Sequence, residues 1–296
     1  MNRSSHELSL AIVTPSYAPD LRLCTDLNRS VLRHTSPDVK HYIIAPSRDQ
    51  NEFRRLASDR TLILDTRQFL PRGMMKVPRM NAWLNFRHPF PPVRGWIAQQ
   101  IVKLAAAAEM TTDIVLLVDS DVLLIRPVDA SSFAPAGKVQ LFEAPNGVNE
   151  SLPRHHLWHA AARRLLGLPP LVAPILPDYV CWPCAWSPGL VRGMLSRIES
   201  VTGLPWATAI GRELHFSEMI LYGVYVKELV GASLSVETTS VMRCVNHSDE
   251  IPLEAGGLQA LLSRATRADF AVMVSAKSGT PQEIRSLLND FRPPHA

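Results

Sequence analysis

Two aspartates separated by one residue are the side chains best placed for chemistry. Asp119 and Asp121 follow the apolar run 114–118, and apolar residues resume at 122–125. Residues two apart on an extended chain point the same way, so both carboxylates can share one cation. Carboxylate oxygens suit Mg²⁺ or Mn²⁺, and such a cation can neutralise a diphosphate leaving group. The alternative is that both aspartates only cap a turn after the strand, because D-x-D is frequent by chance.

Composition limits the classes of protein and partner. The chain has 296 residues, 46% of them hydrophobic, a net charge of +4 and a pI near 9.0. Its basic residues are scattered, so we expect no nucleic-acid partner, while an anionic donor, an acidic glycan or an anionic membrane surface stays compatible. We find no membrane-spanning run, no secretion signal at the N-terminus and only four cysteines. These features predict a cytoplasmic protein with reduced thiols.

Strands alternate with helices in the first part of the chain. Residues 9–17, 41–47 and 61–65 have the pattern of strands, and helical patterns lie between them. This order predicts an α/β fold with a central, mostly parallel sheet whose ligands sit beyond the carboxyl ends of the strands. Residues 66–92 show no period and predict a long irregular insertion, a candidate lid. Without a repeat or an obvious linker, we expect one domain over 1–296.

The stretch from about 95 to 128, a helix GWIAQQIVKL and then IVLLVDSDVLLIRP, resembles bacterial glycosyltransferases of the GT-A fold. The resemblance implies a Rossmann-type, three-layer α/β domain of the nucleotide-diphospho-sugar transferases. A nucleotide-sugar-binding half would cover about 8–128 and an acceptor half about 129–290. It also implies sugar transfer, dependent on Mn²⁺ or Mg²⁺, from a nucleoside-diphosphate sugar, with uracil as the expected base. The acceptor would be a glycan, a lipid-linked molecule or a small molecule in polysaccharide biosynthesis, and peripheral membrane association stays open.

The same resemblance suggests roles for individual residues. Asp119 would approach the ribose or the metal, Asp121 would bind the metal, and Ser120 between them would belong to the donor site. The helix before the acidic strand would face the donor, with Lys103 within reach of a phosphate. From the residues alone, Gln100 and Lys103 could equally lie on that helix's exposed face. The residues expected at the donor's nucleoside are Thr14, Pro15, Tyr17 and Asp20 after the first strand, and Ser47, Arg48 and Asp49 after the second.

Two further candidates lie in the acceptor half. Glu218 interrupts an apolar helical pattern, and a carboxylate facing a cleft there could act as general base on the acceptor. The alternative is an exposed glutamate on an amphipathic helix. His247, in a polar stretch, matches the C-terminal histidine that supplies a further metal ligand in the resembled family; a loop histidine can also be simple surface.

Other readings of these residues stay open. Cys181, Cys184, Cys244 and His247 have spacings that could hold a structural zinc, although free cysteines often behave as small buried hydrophobes. A haloacid-dehalogenase-like phosphohydrolase would use Asp119 as nucleophile. That family places its motif near the N-terminus and expects Gly or Thr, then Thr or Val, where Val122 and Leu123 stand. A catalytically inactive nucleotide- or glycan-binding protein is the non-enzyme alternative.

Overall fold

A computed structural model describes residues 8–86, 88–231 and 236–291. The expectation about a secretion signal concerns the N-terminus, and residues 1–7 of that stretch lie outside the described residues. The predicted fold class is confirmed, since the protein is a mixed α/β structure around a central sheet that is mostly parallel. Across the described ranges, no helix has the length and apolar character needed to cross a membrane.

The helices and strands follow one another as predicted over much of the chain. The strands are β1 (Leu10–Pro15), β2 (Lys40–Ala45), β3 (Thr61–Asp65), β4 (Met74–Lys76), β5 (Ala82–Asn85), β6 (His88–Arg94), β7 (Ile114–Leu117), β8 (Val122–Leu124), β9 (Val139–Phe142), β10 (Ala144–Val148), β11 (Leu176–Asp178), β12 (Cys184–Trp186), β13 (Val236–Thr239), β14 (Cys244–His247) and β15 (Ala271–Val274). The helices are α1 (Leu21–His34), α2 (Gln50–Phe53), α3 (Gly95–Glu109), α4 (Pro153–Leu166), α5 (Pro188–Thr202), α6 (Trp206–Gly211), α7 (Glu218–Tyr225), α8 (Ala255–Ser263) and α9 (Gln282–Asp290).

The central sheet has the strand order β12-β7-β1-β2-β3. β7, β1, β2 and β3 run parallel, and β12 pairs antiparallel with β7 at one edge. Every residue of β1 is buried, as expected for a parallel strand covered on both faces. Side chains of α3, α5 and α7 pack on one face of the sheet, and α1 packs on the other.

A second sheet, with the order β14-β15-β8, continues directly from the central one. β7 belongs to the central sheet and β8 to the second, so residues 118–121 form the junction between them. Val118 N donates to Val13 O on the central side, and Val274 N donates to Asp121 O on the other. The acidic pair therefore lies where the two sheets meet.

The expectation of an irregular insertion at 66–92 is wrong. β4, β5 and β6 form a three-stranded antiparallel sheet in this region. The prolines and the register shift between β5 and β6 obscured the alternation of side chains that normally identifies a strand. The sequence pattern also failed to single out α6, α8 and β15 in the later part of the chain.

A buried polar network joins α1 to the central sheet. His41 on β2 hydrogen-bonds through Nδ1 to Asn28 Oδ1 at 3.1 Å and through Nε2 to Thr14 Oγ1 at 2.9 Å. Thr61 Oγ1 donates to the same Asn28 oxygen at 2.9 Å. Because that amide oxygen only accepts, Nδ1 carries the proton and Nε2 accepts from Thr14. Burial lowers the pKa of His41 to about 3, so the ring stays neutral in the folded protein.

We predict that His41 makes the protein acid-sensitive. Below its usual pKa of 6.5, the unfolded chain takes up a proton at His41 that the folded chain does not bind until about pH 3. As the pH is lowered from 6.5 towards 3, the free energy of unfolding should therefore decrease, by about 1.4 kcal/mol per pH unit for this one proton. His41→Gln should make the dependence shallower by that amount in urea unfolding measured from pH 7 to pH 4. An unchanged slope in the variant would contradict this.

Candidate active site

The site lies along the edge where the parallel strands of the central sheet end. Pro15 and Tyr17 come from the end of β1, Arg48 from the loop after β2, and Asp119 from the loop after β7. The first two loops are fastened together, because Ala18 N donates to Asp49 Oδ2 at 3.0 Å. Asp49 is buried and also accepts from Arg48 Nε at 3.2 Å. This places three groups of predicted site residues at one edge of the sheet.

A cavity of about 610 Å³ opens at this edge. It lies between the ends of β1 and β2, the start of α3 and the small sheet β4-β5-β6. Pro15, Tyr17 and Arg48, all predicted for the donor, line it. Its wall combines cations with aromatic rings: Arg48, Lys76, Arg79 and Lys277 with Tyr17, Trp83 and Trp96.

Two hydrogen bonds connect the cavity wall to the acidic pair. Ser120 Oγ donates to Ser16 Oγ at 2.9 Å, and Ser16 lines the cavity while Ser120 is buried behind it. Ala276 N donates to Asp121 Oδ2 at 2.8 Å, and the next residue, Lys277, lines the cavity. The acidic pair is therefore held directly beside the cavity's cationic wall.

The carboxylates near the junction affect one another. Burial, and secondarily the charge of Asp119, raise the pKa of Asp121 to about 6. The same two causes raise the pKa of Asp20. The guanidinium of Arg285 opposes both shifts and is itself fixed, since Nη1 donates to Val274 O at 2.7 Å. Asp20, Asp119 and Asp121 thus form a cluster of negative charge that Arg285 and Lys103 balance only in part.

Lys103 does not lie on an exposed helix face, and its predicted contact with a donor phosphate stays a prediction. Its buried Nζ sits 2.8 Å from Asp119 Oδ1 and 3.2 Å from Glu218 Oε1. Burial lowers the pKa of Lys103, but the charges of Asp119 and Glu218 outweigh it, so the pKa lies above its usual value. A permanently charged ammonium thus connects α3, the acidic junction and the start of α7.

Gln100 does not lie on an exposed face of α3 either, and its predicted place at the donor stays a prediction. It is fully buried, its Nε2 donates to Phe216 O at 3.2 Å, and its Oε1 accepts from Glu218 N at 2.8 Å. Gln100 therefore holds the first turn of α7 against α3. Glu218 itself is buried beside Lys103 rather than exposed on a helix surface or facing an open cleft.

Thr14 and His247 are not brought to the cavity or to the acidic pair. Thr14 is fully buried, and its hydroxyl is used by His41. His247 lies two strands away from Asp121, on the far side of β15. Its Nε2 donates to Ile251 O at 2.7 Å, because that carbonyl can only accept.

In residues 8–86, 88–231 and 236–291, no group of three or more His, Cys, Asp or Glu side chains is positioned to hold an ion. The zinc alternative is not supported within these residues, because Cys181, Cys184, Cys244 and His247 do not form such a group. Hydrogen bonding to Cys181 and burial raise the pKa of Cys184, which disfavours the thiolate that zinc requires.

Several residues of the cavity were not singled out from the sequence. Trp96 begins the very helix that carries the resemblance, and the indole of Trp83 comes from the segment expected to be irregular. Lys76 and Arg79 come from the same segment, whose complete lack of acidic residues was the signal that could have drawn attention to them. Lys277 follows β15, a short apolar run in a region without a clear pattern.

Fold and site together define an α/β protein with an acidic pair and a basic, aromatic cavity at the carboxyl edge of a parallel sheet. The chain belongs to the family of unknown function DUF6492, whose model matches residues 3–295. No curated protein matches the chain. Its structure is similar to that of mouse xyloside xylosyltransferase 1 in the apo form, with 10% sequence identity, a TM-score of 0.49, and coverage of 93% of this chain and 100% of that one. A likeness of this size assigns no donor or acceptor to the chain.

We predict that Lys103→Met destabilises the protein by about 3–5 kcal/mol, because it leaves a buried carboxylate without its counter-charge. Adding Glu218→Gln should recover part of that loss, since the amide keeps the shape of the glutamate and removes the charge. Guanidinium unfolding of the two single variants and the double variant measures the coupling. Simple additivity of the two losses would contradict the ion-pair role.

Proposed function

We propose that this protein is a divalent-metal-dependent glycosyltransferase that uses a nucleoside-diphosphate sugar, with a uridine diphosphate as the expected carrier. The observation that carries the proposal is the cavity of about 610 Å³, with four cations and three aromatic rings, beside Asp119 and Asp121. A cytoplasmic location belongs to the same proposal, as does an acceptor that is a glycan, a lipid-linked molecule or a small molecule.

The cavity has the size and chemistry that a nucleotide sugar needs. Binding sites for small molecules and cofactors commonly occupy about 300–1,000 Å³, and this cavity falls within that range. Arg48 and Lys277 are suited to phosphate oxygens, because charge-assisted hydrogen bonds are the strong ones. Tyr17 and Trp96 offer exposed ring faces to a base or a sugar ring. The cationic groups favour an anionic ligand over a neutral glycan alone.

The acidic pair supplies donor atoms that fit a magnesium or manganese ion. Both residues are carboxylates, and burial together with the charge of Asp119 raises the pKa of Asp121, so a dication would stabilise the ionised pair. A bound metal would neutralise the diphosphate as it leaves. Lys103 and Ala276 N would hold the two carboxylates in place for it. Because Nε2 of His247 donates to Ile251 O, Nδ1 is the ring nitrogen left for a metal, and the role of His247 as a third ligand stays a prediction.

Glu218 is best described as a positioning residue within this proposal. Its carboxylate pairs with Lys103, which in turn pairs with Asp119, so a change at Glu218 acts on the acidic pair through the lysine. Direct action of Glu218 as general base on an acceptor hydroxyl stays a prediction. Separate measurement of kcat and KM for Glu218→Gln, once an acceptor is identified, distinguishes the two roles.

We predict that Asp121→Ala weakens Mn²⁺-dependent binding of UDP by about 100-fold or more. Removing a residue that only supports a metal ligand costs about 10–100-fold in affinity, and removing a direct ligand should cost at least as much. Asp59→Ala is the matched control, because this exposed aspartate precedes β3 at the opposite edge of the sheet. Calorimetric titration measures binding, and a hydrolysis screen across nucleotide sugars with Mn²⁺ or Mg²⁺ measures turnover. Hydrolysis of a simple phosphate ester, with no nucleotide sugar bound or cleaved, would establish the phosphohydrolase instead.

Lys277→Gln should discriminate between the phosphates and the nucleoside. Loss of one charge-assisted contact is expected to weaken UDP binding roughly tenfold while leaving the weaker binding of uridine unchanged. Arg264→Gln, an exposed position away from the cavity lining, serves as the control. Equal weakening for UDP and uridine would argue against a diphosphate beside Lys277.

A further inference from the structure

The segment 66–94 has an unusual charge composition. It contains the basic residues Arg67, Arg72, Lys76, Arg79, Arg87 and Arg94, and no aspartate or glutamate. The whole chain has a net charge of only +4, so this one segment carries more positive charge than the protein's entire excess. Lys76 and Arg79 line the cavity, but Arg67 and Arg72 are exposed and do not belong to its lining.

Large apolar side chains are exposed on the same segment. Relative exposure is 56% for Met75, 63% for Phe86 and 79% for Phe90. Phe86 N donates to Gly73 O at 3.1 Å, which brings Phe86 next to the start of β4 and hence to Arg72. We name Arg72, Met75, Phe86 and Phe90 the outer patch.

Met75 faces away from the cavity, and none of the four residues of the outer patch belongs to the cavity lining. Met75 pairs with Leu84 in the ladder between β4 and β5, and the neighbouring pair is Lys76 with Trp83. Successive residues of a strand point to opposite faces, and Lys76 and Trp83 point into the cavity. Met75 therefore points outwards, so the small sheet walls the cavity with one face and exposes apolar groups with the other.

Basic residues interleaved with exposed aromatic and apolar side chains match the surface of an anionic bilayer. Apolar side chains enter the boundary between headgroups and acyl chains, while Lys and Arg are attracted to anionic lipids. A second exposed apolar segment, 168–176, differs in this respect. Val172 there is 98% exposed, but the segment has no charged residue. Charge complementarity to anionic lipids therefore distinguishes the outer patch from segment 168–176.

We propose that the outer patch docks the protein on an anionic phospholipid surface, with Phe86, Phe90 and Met75 inserted between headgroups and Arg72 among their phosphates. Because the inner face of the same small sheet walls the cavity, docking brings the cavity close to the headgroups. If the proposed sugar transfer holds, this arrangement favours a lipid-linked acceptor over a free glycan. The docking itself does not depend on sugar transfer, since it concerns the opposite face of the sheet.

The test is sedimentation of the full chain with phosphatidylcholine vesicles that contain or lack phosphatidylglycerol. We expect binding only with the anionic lipid, and a strong decrease when salt is raised to about 0.5 M. Met75→Ser combined with Phe86→Ser should weaken binding at least tenfold, because both side chains lose their burial in lipid. Arg72→Gln should weaken it roughly fivefold. Val172→Ser and Arg267→Gln, exposed residues outside the segment, are the matched controls and should leave binding unchanged.

Four results would overturn the proposal. Equal binding to neutral and anionic vesicles would mean nonspecific apolar partition. A loss of binding in Val172→Ser as large as in the Met75→Ser, Phe86→Ser double variant would locate the contact elsewhere. Tighter binding to a polyanionic RNA would identify a different partner. Absence of vesicle binding overturns it as well. Circular dichroism checks that each variant is folded, and titration of UDP and Mn²⁺ without vesicles tests the proposed function separately. Intact folding with lost vesicle binding supports docking.

Discussion

The buried ammonium of Lys103 is the interaction on which the rest of the site depends. It links α3 to the acidic junction through Asp119 and to α7 through Glu218, and Gln100 reinforces the second link one helical turn away. Three buried or half-buried charges are tolerable only together, because each would be costly if left alone in the interior. This network fixes α3, α7 and the carboxyl edge of the sheet relative to one another, next to the cavity.

Much of the fold follows from the sequence because its patterns are local. The alternation of apolar strands and amphipathic helices up to Asp121 predicts the parallel sheet, and Gly167 ends α4 in the left-handed conformation expected of a helix cap. Parallel strands also determine that Pro15, Tyr17, Arg48 and Asp119 share one edge. The small sheet β4-β5-β6 was missed because β4 and β5 are short and β6 contains three prolines, so pairing between strands rather than local propensity determines it.

The interior of the candidate site could not be read from the sequence in the same way. Gln100 and Lys103 look like the polar face of an amphipathic helix, and only the approach of α7, more than a hundred residues later, converts that face into a buried ion-pair network. Thr14 sits at the expected strand end, yet its hydroxyl is taken by His41 from the neighbouring strand. Both cases depend on partners distant in sequence, and a pattern within one segment carries no information about them.

The hydrogen bond from Ala276 N to Asp121 spans 155 positions of the chain. Closing a loop of that size costs conformational entropy, and the pairing of β15 with β8 provides contacts that offset this cost. The geometry of the acidic pair therefore depends on that pairing and on the hydrogen bond from Arg285 to the carbonyl of Val274. A partly folded chain carries both aspartates but lacks the donor that orients one of them. Ligand-binding competence is consequently a property of the assembled tertiary structure and reports that folding has finished.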